Sequence, residues 1–440
     1  MRSSWSSRAL NRPAQNRKSN NNRYRSGFIG RVPMLDNQIA SPAKVGLILT
    51  GGGARAAYQV GFLRAISHML PRGALNPFTI ICGTSAGAIN AAALASNATD
   101  FHRAVRQMLL IWKYFHVDQV YRSDVLGVFG TGMRWFLAML MGGLGKNNPS
   151  SLLDNSPLSE LLRKRLDLGG IRRSIDAGAL YALSITVSGY ASGQSVSFFQ
   201  SVPGLAGWQR ARRIGLPEII DFEHLLASSA LPFIFPAVPL RREFFGDGSM
   251  RQIAPISPAL HLGADRVVVI GVGRPMQNPP PRVKMSSYPS LAQIAGHALN
   301  SIFLDGLEVD IERLQRINKT IGLITREERD KHKMELREVD VLVISPSEEI
   351  DRIAAHYSHE LPRSIRFLLR GLGAARTGGA TLTSYLLFEP AYCRALIALG
   401  YKDTMARREE ILRFIDAGKG GTQDSGDRNQ DAGLAPLKGV

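Results

Sequence analysis

The sequence predicts an α/β fold, because a strand-type apolar run twice leads through a glycine turn into a helical pattern. Residues 45–50 form the first run, three glycines follow at 51–53, and apolar residues then recur at helical spacing up to Leu70. Residues 78–82 form the second run, which precedes another glycine turn and a helix of small residues over 88–95. Further runs of the same apolar character, which we expect to be strands, cover residues 180–187, 195–199, 266–272 and 339–345.

The composition is that of a globular protein. The chain has 440 residues, of which 45% are hydrophobic and 20% charged, and this excludes a disordered or fibrous protein. Its two cysteines, Cys82 and Cys393, exclude a disulfide scaffold and a zinc ribbon, and they indicate a reducing compartment. Because 54 basic residues face 36 acidic ones, the net charge is +18, which predicts attraction to nucleic acid or anionic lipid.

The two ends of the chain differ in composition from the rest. The first 44 residues hold nine basic residues and one acid, and they contain no apolar run of signal-peptide type. We predict a disordered basic tail over residues 1–43 and a second disordered tail over residues 417–440. An organellar transit peptide, or an upstream extension ahead of Met34, is the alternative at the N-terminus. Without a signal peptide, we expect a cytoplasmic protein that associates peripherally with membranes.

The glycines at 51–53 predict an anion site, because backbone amides point outward at a helix N-terminus. Such a site serves a dinucleotide, a nucleotide phosphate or the oxyanion of acyl transfer. A dinucleotide site needs an acidic residue about 20 residues further on. The first acid after Asp36 is Asp100, and a Gly-Lys-Ser/Thr phosphate loop is absent. Acyl transfer is therefore favoured; a nucleotide-binding oxidoreductase and a turn without a ligand are the alternatives.

The second glycine turn has the pattern Gly-x-Ser-x-Gly, formed by Gly83, Ser85 and Gly87. A strand before this pattern and a helix after it define a nucleophile elbow, in which a tight turn exposes the serine hydroxyl. The glycines leave room for the turn and for the helix, whose N-terminus favours developing negative charge. Ser85 is thus a candidate nucleophile, and a simple helix-capping turn is the alternative.

A serine nucleophile needs a base, and the residues alone leave three candidates open. Among the nine histidines, His261 and His297 occur in the chain order of an α/β-hydrolase base. Asp247 lies at the end of a predicted strand and precedes Gly248, and a carboxylate there can act on a serine directly. An ordinary Asp-Gly turn is the alternative.

The order of glycine turn, Gly-x-Ser-x-Gly and Asp-Gly resembles the patatin-like phospholipase family over about residues 44–272, with looser similarity towards Phe414. Residues 227–232, together with Phe235 and Pro236, are similar to the family segment that precedes the aspartate. The resemblance implies a three-layer sandwich, with a mostly parallel central sheet and helices on both faces. It also implies a Ser–Asp dyad that acts without a histidine base.

Site residues follow from the resemblance motif by motif. Ser85 corresponds to the nucleophile and Asp247 to the general base. The oxyanion hole corresponds to Gly51, Gly52 and Gly53, with Arg55 nearby. The nucleophile elbow contains Gly83 and Gly87, and the turn after the aspartate contains Gly248. Ser249 follows where the family usually has glycine or alanine.

The resemblance implies a lipid acyl hydrolase of phospholipase A or lysophospholipase type that needs no metal or cofactor. A catalytically weak lipid- or membrane-binding protein on the same fold is the alternative. The expected partners are a phospholipid or other acyl ester and an anionic membrane surface. Specific nucleic-acid binding is not expected, because no nucleic-acid-binding motif accompanies the basic charge.

The remaining sequence divides at about residue 275. We predict a catalytic core over 44–275, and over 276–416 a helical extension that adds a strand to the core. Residues 125–145 are apolar with one charge, Arg134, and predict a lid or a membrane-interface segment. A buried helix and loop, or a membrane span, is the alternative there. The predicted helices of the extension cover residues 292–336, 350–372 and 384–415.

Overall fold

A single mixed sheet lies at the centre of the molecule. The computed structural model describes residues 43–122, 151–273, 288–332, 334, 336–373 and 379–416. The described strands are β1 (Val45–Leu49), β2 (Ile80–Thr84), β3 (Ala182–Gly189), β4 (Ser195–Ser201), β5 (Trp208–Arg210), β6 (Arg213–Pro217), β7 (Val238–Leu240), β8 (Glu243–Asp247), β9 (Arg266–Ile270) and β10 (Asp340–Ile344). Their order is β10-β9-β1-β2-β3-β4-β6-β5, and β8 pairs with both β3 and β7.

The sheet changes character at β3. The strands from β10 to β3 are parallel, whereas β4 and β8 both pair antiparallel with β3. Every residue of β1, β2 and β3 is buried, as expected of strands that are covered on both faces.

Helices surround the sheet. The described α-helices are α1 (Ala57–Met69), α2 (Ala86–Ser96), α3 (Phe101–Lys113), α4 (Ser156–Arg165), α5 (Gly169–Asp176), α6 (Phe222–Ser228), α7 (Ser257–His261), α8 (Leu291–Asn300), α9 (Gly306–Gly322), α10 (Arg326–Lys331), α11 (Ile350–Tyr357), α12 (Arg363–Gly371), α13 (Ala380–Leu386), α14 (Pro390–Ala406) and α15 (Arg408–Asp416). Short 3₁₀ segments lie at Gly53–Ala56, Val117–Gln119, Gly248–Arg251 and Ser358–Glu360, and a π-helical turn at Ser301–Asp305 joins α8 to α9.

The core is divided between the two faces of the sheet. Successive residues of a strand point to opposite faces. Leu47 and Leu49 of β1 therefore pack in one hydrophobic cluster with Phe62 of α1, whereas Ile48 packs in the other with Leu314 of α9. The structure thus has a helical layer, the sheet and a second helical layer, and this confirms the predicted fold class.

The C-terminal helices pack directly on the first layer. Helices α1 and α14 cross so closely that a Cβ on Gly61 would lie 2.3 Å from the carbonyl oxygen of Ile397. A Cβ on Gly400 would lie 2.2 Å from the carbonyl oxygen of Tyr58. The Tyr58 hydroxyl donates to Asp403 at 3.0 Å across this contact. Two glycines therefore allow α14 to pack against α1 backbone to backbone.

The predicted helix over 350–372 is divided into α11 and α12. Leu361 precedes Pro362 and has a ψ of 144°, because the ring of a following proline excludes the helical conformation. The predicted helix over 384–415 is also divided, between the end of α13, α14 and α15. Helix α14 begins at Pro390. Among the described helices, none combines the length and apolar character that a bilayer crossing requires. The predicted lid segment, 125–145, lies entirely outside the described residues, as do the predicted tails apart from residue 43.

Candidate active site

Ser85 occupies a sharp turn between β2 and α2. Its φ of 55° and ψ of −131° are strained for a residue with a side chain, and only 2% of its surface is exposed. The flanking glycines are required by close backbone contacts. A Cβ on Gly83 would lie 2.6 Å from the Gly87 carbonyl oxygen, and one on Gly87 would lie 2.2 Å from the Leu49 carbonyl oxygen. The local structure is that of a nucleophile elbow.

Strand β3 brings Ser85 and Asp247 together. Thr84, the residue before Ser85, pairs with Thr186 of β3, and Asp247 of β8 pairs with the next residue, Val187. Because β4 occupies the other edge of β3, β2 and β8 pair one after the other along the same edge, and the two candidate residues meet where β2 ends and β8 begins its pairing. A Cβ on Gly248 would lie 2.1 Å from the Thr186 carbonyl oxygen, so glycine is required after the aspartate.

Asp247 is a fully buried carboxylic acid with 0% of its surface exposed. Its Oδ1 accepts a hydrogen bond of 2.9 Å from the Ser249 amide. Within the described residues, no hydrogen bond of ordinary geometry reaches its buried Oδ2. Burial raises the pKa of Asp247 to about 6, although the Ser85 hydroxyl beside it and the Ser249 amide lower the pKa. A carboxyl group with a pKa of about 6 is largely ionised at neutral pH, and the Ser85 hydroxyl lies beside it.

Ser228 fixes the turn at Ser85, although no motif in the sequence predicts it as a site residue. The Ser228 hydroxyl accepts a hydrogen bond of 2.9 Å from the Ser85 amide and donates one of 2.7 Å to the Thr186 carbonyl. Its surface is fully buried. The one signal in the sequence is its place in the segment 227–232, which carries part of the resemblance.

The glycines after β1 line the approach to the same turn. A Cβ on Gly51 would lie 2.5 Å from the Phe303 ring, and one on Gly53, whose φ is 54°, would lie 2.3 Å from the Tyr385 carbonyl oxygen. Within the described residues, the amides of Gly51, Gly52 and Gly53 donate no hydrogen bond. Three backbone donors thus remain free in a segment where side chains do not fit.

Arg55 lies next to these glycines, and its guanidinium points to the C-terminal helices. It forms an ion pair of 2.6 Å with Asp351 and donates a hydrogen bond of 2.8 Å to Ser384. The guanidinium also lies 3.9 Å from the centre of the Tyr385 ring. With 2% of its surface exposed, Arg55 ties the glycine turn to α11 and α13.

A narrow apolar pocket opens at Ser85 and Gly53. It contains about 820 Å³ of space outside the atoms, including its mouth, and the centre of a water molecule can reach about 70 Å³ of this. Its walls are mainly apolar side chains from α2, α3, α4 and the end of α13: Ala86, Ile89, Ala93, Met108, Ile111, Trp112, Phe115, Leu158, Leu161, Leu162, Leu166, Leu386 and Phe388.

The two histidine candidates occupy other surroundings. His261 stacks on Trp208 with ring centres 5.0 Å apart, and burial together with Arg210 and Arg213 lowers its pKa to about 4. His297 is exposed on α8. Within the described residues, neither imidazole forms a hydrogen bond with Ser85 or Asp247.

Comparison with known proteins agrees with this geometry. A sequence model of the family described as "Patatin-like phospholipase" matches residues 47–260. No curated protein matches the chain significantly. Three similar solved structures share low sequence identity and have TM-scores below 0.5, so they carry no argument about function. VipD from Legionella pneumophila is 12% identical, with a TM-score of 0.31, over 86% of this chain and 68% of that one.

Human GIVD cytosolic phospholipase A2 is 15% identical, with a TM-score of 0.39, over 86% of this chain and 60% of that one. The heterodimeric ExoU–SpcU complex from Pseudomonas aeruginosa contains a chain that is 15% identical, with a TM-score of 0.25, over 85% of this chain and 78% of that one. The family assignment rests on the matched segment, which contains Ser85, Asp247 and the glycines at 51–53. Residues 47–260, just under half of the chain, match the patatin-like phospholipase family, and this match supports lipid ester hydrolysis as the general class of activity.

Proposed function

We propose that the chain hydrolyses carboxylic esters of lipids, as a phospholipase A or lysophospholipase, through an acyl-enzyme on Ser85. One observation carries the proposal. The pairing of β2 and β8 with the same end of β3 sets a strained serine beside a buried carboxylate with a free oxygen. The pocket that opens at this serine is apolar, as an acyl chain requires.

In the first step the Ser85 hydroxyl attacks the ester carbonyl carbon, and Asp247 accepts its proton. A pKa of about 6 leaves the carboxylate ionised at neutral pH yet more basic than an exposed aspartate. The oxyanion of the tetrahedral intermediate is stabilised by the amides of Gly51, Gly52 and Gly53. Each such donor typically contributes a rate factor of about 10² to 10³.

In the second step the intermediate collapses and the alcohol leaves with the proton from Asp247. A water molecule then attacks the acyl carbonyl on Ser85, and Asp247 takes the proton from that water. Collapse of the second intermediate returns a proton to Ser85 and releases the fatty acid. The N-terminus of α2, which begins directly after Ser85, favours the negative charge in both intermediates.

The pocket supports a fatty acyl substrate. From Ser85 its wall follows α2 to Ala93, a distance of about 12 Å at the helical rise of about 1.5 Å per residue. A channel this narrow and apolar excludes polar acyl groups, because their desolvation would not be compensated by hydrogen bonds. The Asn90 side chain on this wall is already bound to Ala56, Gln59 and Trp112.

Peripheral association with anionic membranes belongs to the same proposal. The net charge of +18 favours it, since each basic residue near an anionic surface contributes about 1 kcal/mol. The second candidate function is lipid binding without efficient hydrolysis. The same apolar pocket and basic charge support this candidate, and it predicts that vesicle binding persists when hydrolysis is absent.

The test is hydrolysis of p-nitrophenyl esters of graded chain length by the full chain and by Ser85→Ala and Asp247→Asn. We expect both variants to lose at least about a thousandfold in kcat, as for residues that act as one catalytic unit. Ser96→Ala and Asp310→Asn are matched controls, because each changes a buried residue of the same type outside the dyad. Circular dichroism checks that all variants are folded.

Two results would contradict the mechanism. If Asp247→Asn keeps its activity, another group is the base. If wild type and Ser85→Ala are equally inactive but bind phospholipid vesicles, the lipid-binding alternative replaces the hydrolase.

A further inference from the structure

A second cavity lies on the Asp247 side of the dyad. It contains about 1090 Å³ of space including its mouth, and the centre of a water molecule can reach about 490 Å³. Ser249 and Gln252 line it, and each is bonded to the catalytic turn. The Ser249 amide donates to Asp247 at 2.9 Å, and Gln252 accepts a hydrogen bond of 2.9 Å from the Thr84 hydroxyl. This cavity therefore adjoins the dyad through the turn 249–252, and it shares no lining residue with the apolar pocket.

Three arginines from three separate elements line this cavity. Arg212 is in the turn between β5 and β6, Arg251 follows β8, and Arg313 is on α9. All three are exposed, and within the described residues their guanidinium groups form no ion pair or hydrogen bond. They differ in this from Arg241 in the turn between β7 and β8, which pairs with Glu218.

Acidic groups near the cavity do not neutralise this charge. Asp305 lines the cavity and is exposed. Asp310 is buried below it and accepts a hydrogen bond of 2.9 Å from the Ile256 amide. Burial raises the pKa of Asp310, and Arg313 and Arg213 act against this rise. Three free guanidinium groups thus face one exposed carboxylate.

The backbone of Arg212 adds an independent observation. Its φ is 57°, in the left-handed region where glycine or asparagine is favoured. Its carbonyl oxygen accepts a hydrogen bond of 2.9 Å from the Ser195 amide, which fixes the turn. Strain of this kind is concentrated at functional sites. The turn presents a long cationic side chain to the cavity from a position that glycine would occupy at lower cost.

We propose that Arg212, Arg251 and Arg313 form a phosphate-binding site for the head group of the lipid substrate. Guanidinium groups match phosphate oxygens with paired hydrogen bonds. Met250, Ile253 and Val309 supply apolar surface on the same wall, suited to a glycerol backbone. The inference rests on the proposed hydrolase: with the acyl chain in the apolar pocket, the rest of the ester extends past the dyad to this cavity. A phosphate there distinguishes a phospholipid from a neutral glyceride.

The test compares two substrates that stay monomeric, dihexanoylphosphatidylcholine and dihexanoylglycerol, so that vesicle binding does not contribute. The variant carries Arg212→Gln, Arg251→Gln and Arg313→Gln. We expect its kcat/KM to fall at least tenfold for the phospholipid and to stay within twofold for dihexanoylglycerol and p-nitrophenyl hexanoate. The control variant carries Arg72→Gln, Arg106→Gln and Arg363→Gln, which remove the same charge from exposed positions outside the described pockets. It should leave kcat/KM unchanged for all three substrates.

Direct binding separates this inference from the proposed hydrolysis. We expect inorganic phosphate and glycerol 3-phosphate to bind the wild type in calorimetry and to bind the triple variant at least tenfold more weakly. This measurement decides the site even if no ester is hydrolysed. Equal losses on both diacyl substrates, or unchanged phosphate binding, would overturn the proposal. Phosphate binding that is lost in the variant without any change in substrate preference would assign the site to free phosphate and overturn its role in head-group binding.

Discussion

At the scale of residues, the site combines groups that are each unfavourable to the fold. Ser85 has a strained backbone, and the carboxyl group of Asp247 is fully buried. Such groups persist when the surrounding structure fixes them. Here that structure is the hydrogen-bonded end of β3, to whose one edge both β2 and β8 are paired.

The ionised form of Asp247 should destabilise the native state. Its folded pKa of about 6 lies above the model-peptide value of 3.8, so the native state binds more protons than the unfolded state between these values. Stability attributable to this group therefore falls as pH rises from about 4 to 6. Two pKa units correspond to about 3 kcal/mol. We expect the free energy of unfolding of Asp247→Asn, relative to wild type, to increase by up to this amount between pH 4 and pH 7.

Urea unfolding of both proteins at several pH values measures this difference. Asp310→Asn is a useful comparison because its carboxyl is also buried, with a pKa raised by burial. A relative stability of Asp247→Asn that does not change between pH 4 and pH 7 would show that the carboxyl has an ordinary pKa.

Ser228 should act as a positioning residue for Ser85. Ser228→Ala removes the acceptor of the Ser85 amide and the donor to the Thr186 carbonyl. We expect kcat to fall about 10- to 100-fold with little change in KM, since misplacement of a reacting group by about 1 Å costs about this factor. Ser228→Thr, which keeps the hydroxyl, should restore most of the rate. A parallel rise in KM, or no rescue by threonine, would indicate general damage to the fold.

The sequence identifies the residues of the site whose chemistry is local. Ser85 and the glycines at 51–53 each stand in a short pattern whose spacing has a physical reason, whereas Asp247 is preferred to His261 and His297 only through the family resemblance. Ser228 has no such pattern, because its role depends on how β2 pairs with β3. The partners of Arg55 could not be predicted from the sequence either. Asp351 and Ser384 are distant from it in the chain and contact it only because α11 and α13 pack there.

At the scale of elements, the predictable parts are those with a strong pattern. Strands β1 and β2 are fully buried and β9 is buried after its first residue, Arg266, and the sequence marks each of them by an apolar run. Strands β5 and β7 have three residues each and few buried ones, so they give no such pattern. Their position is determined by hairpin pairing with β6 and β8.

Helix α2 should determine the acyl chain length that the pocket accepts. Ala93 lies on the pocket wall at the far end from Ser85, and Ala93→Leu would fill the space of about three methylene groups there. Each buried methylene contributes about 0.8 kcal/mol, so we expect kcat/KM for long-chain esters to fall by tens of fold. Butyrate esters should be hydrolysed as before. Ala398→Leu, on the exposed face of α14, should leave the chain-length profile unchanged.

The crossing of α1 and α14 should tolerate no side chain. Gly400→Ala would place its Cβ 2.2 Å from the Tyr58 carbonyl oxygen, so the helices must separate. We expect a loss of at least about 1–3 kcal/mol in the free energy of unfolding, as for overpacked cores. Gly371→Ala is the matched control, because no atom lies within 4 Å of its added Cβ. Equal stabilities of the two variants would show that the crossing is looser than described.

At the scale of the whole molecule, the family match and the folding unit differ in extent. The match ends at residue 260, yet the described residues from 43 to 416 form one compact unit. Strand β10 covers the outer edge of β9, and α14 covers α1. The candidate site depends on the same contacts, because Arg55, beside the glycines proposed to bind the oxyanion, is held by residues of α11 and α13.

We therefore expect that residues 43–275 do not fold alone, although they contain every proposed catalytic residue. Removing residues 276–416 would expose the edge and apolar face of β9, uncover the backbone of α1 and leave the buried Arg55 without its carboxylate. Circular dichroism and thermal unfolding of residues 43–275 should show no cooperative transition, whereas residues 43–416 should unfold cooperatively and hydrolyse esters like the full chain. A cooperative transition and ester hydrolysis by residues 43–275 would instead establish an independent catalytic domain, with the later helices as an accessory layer.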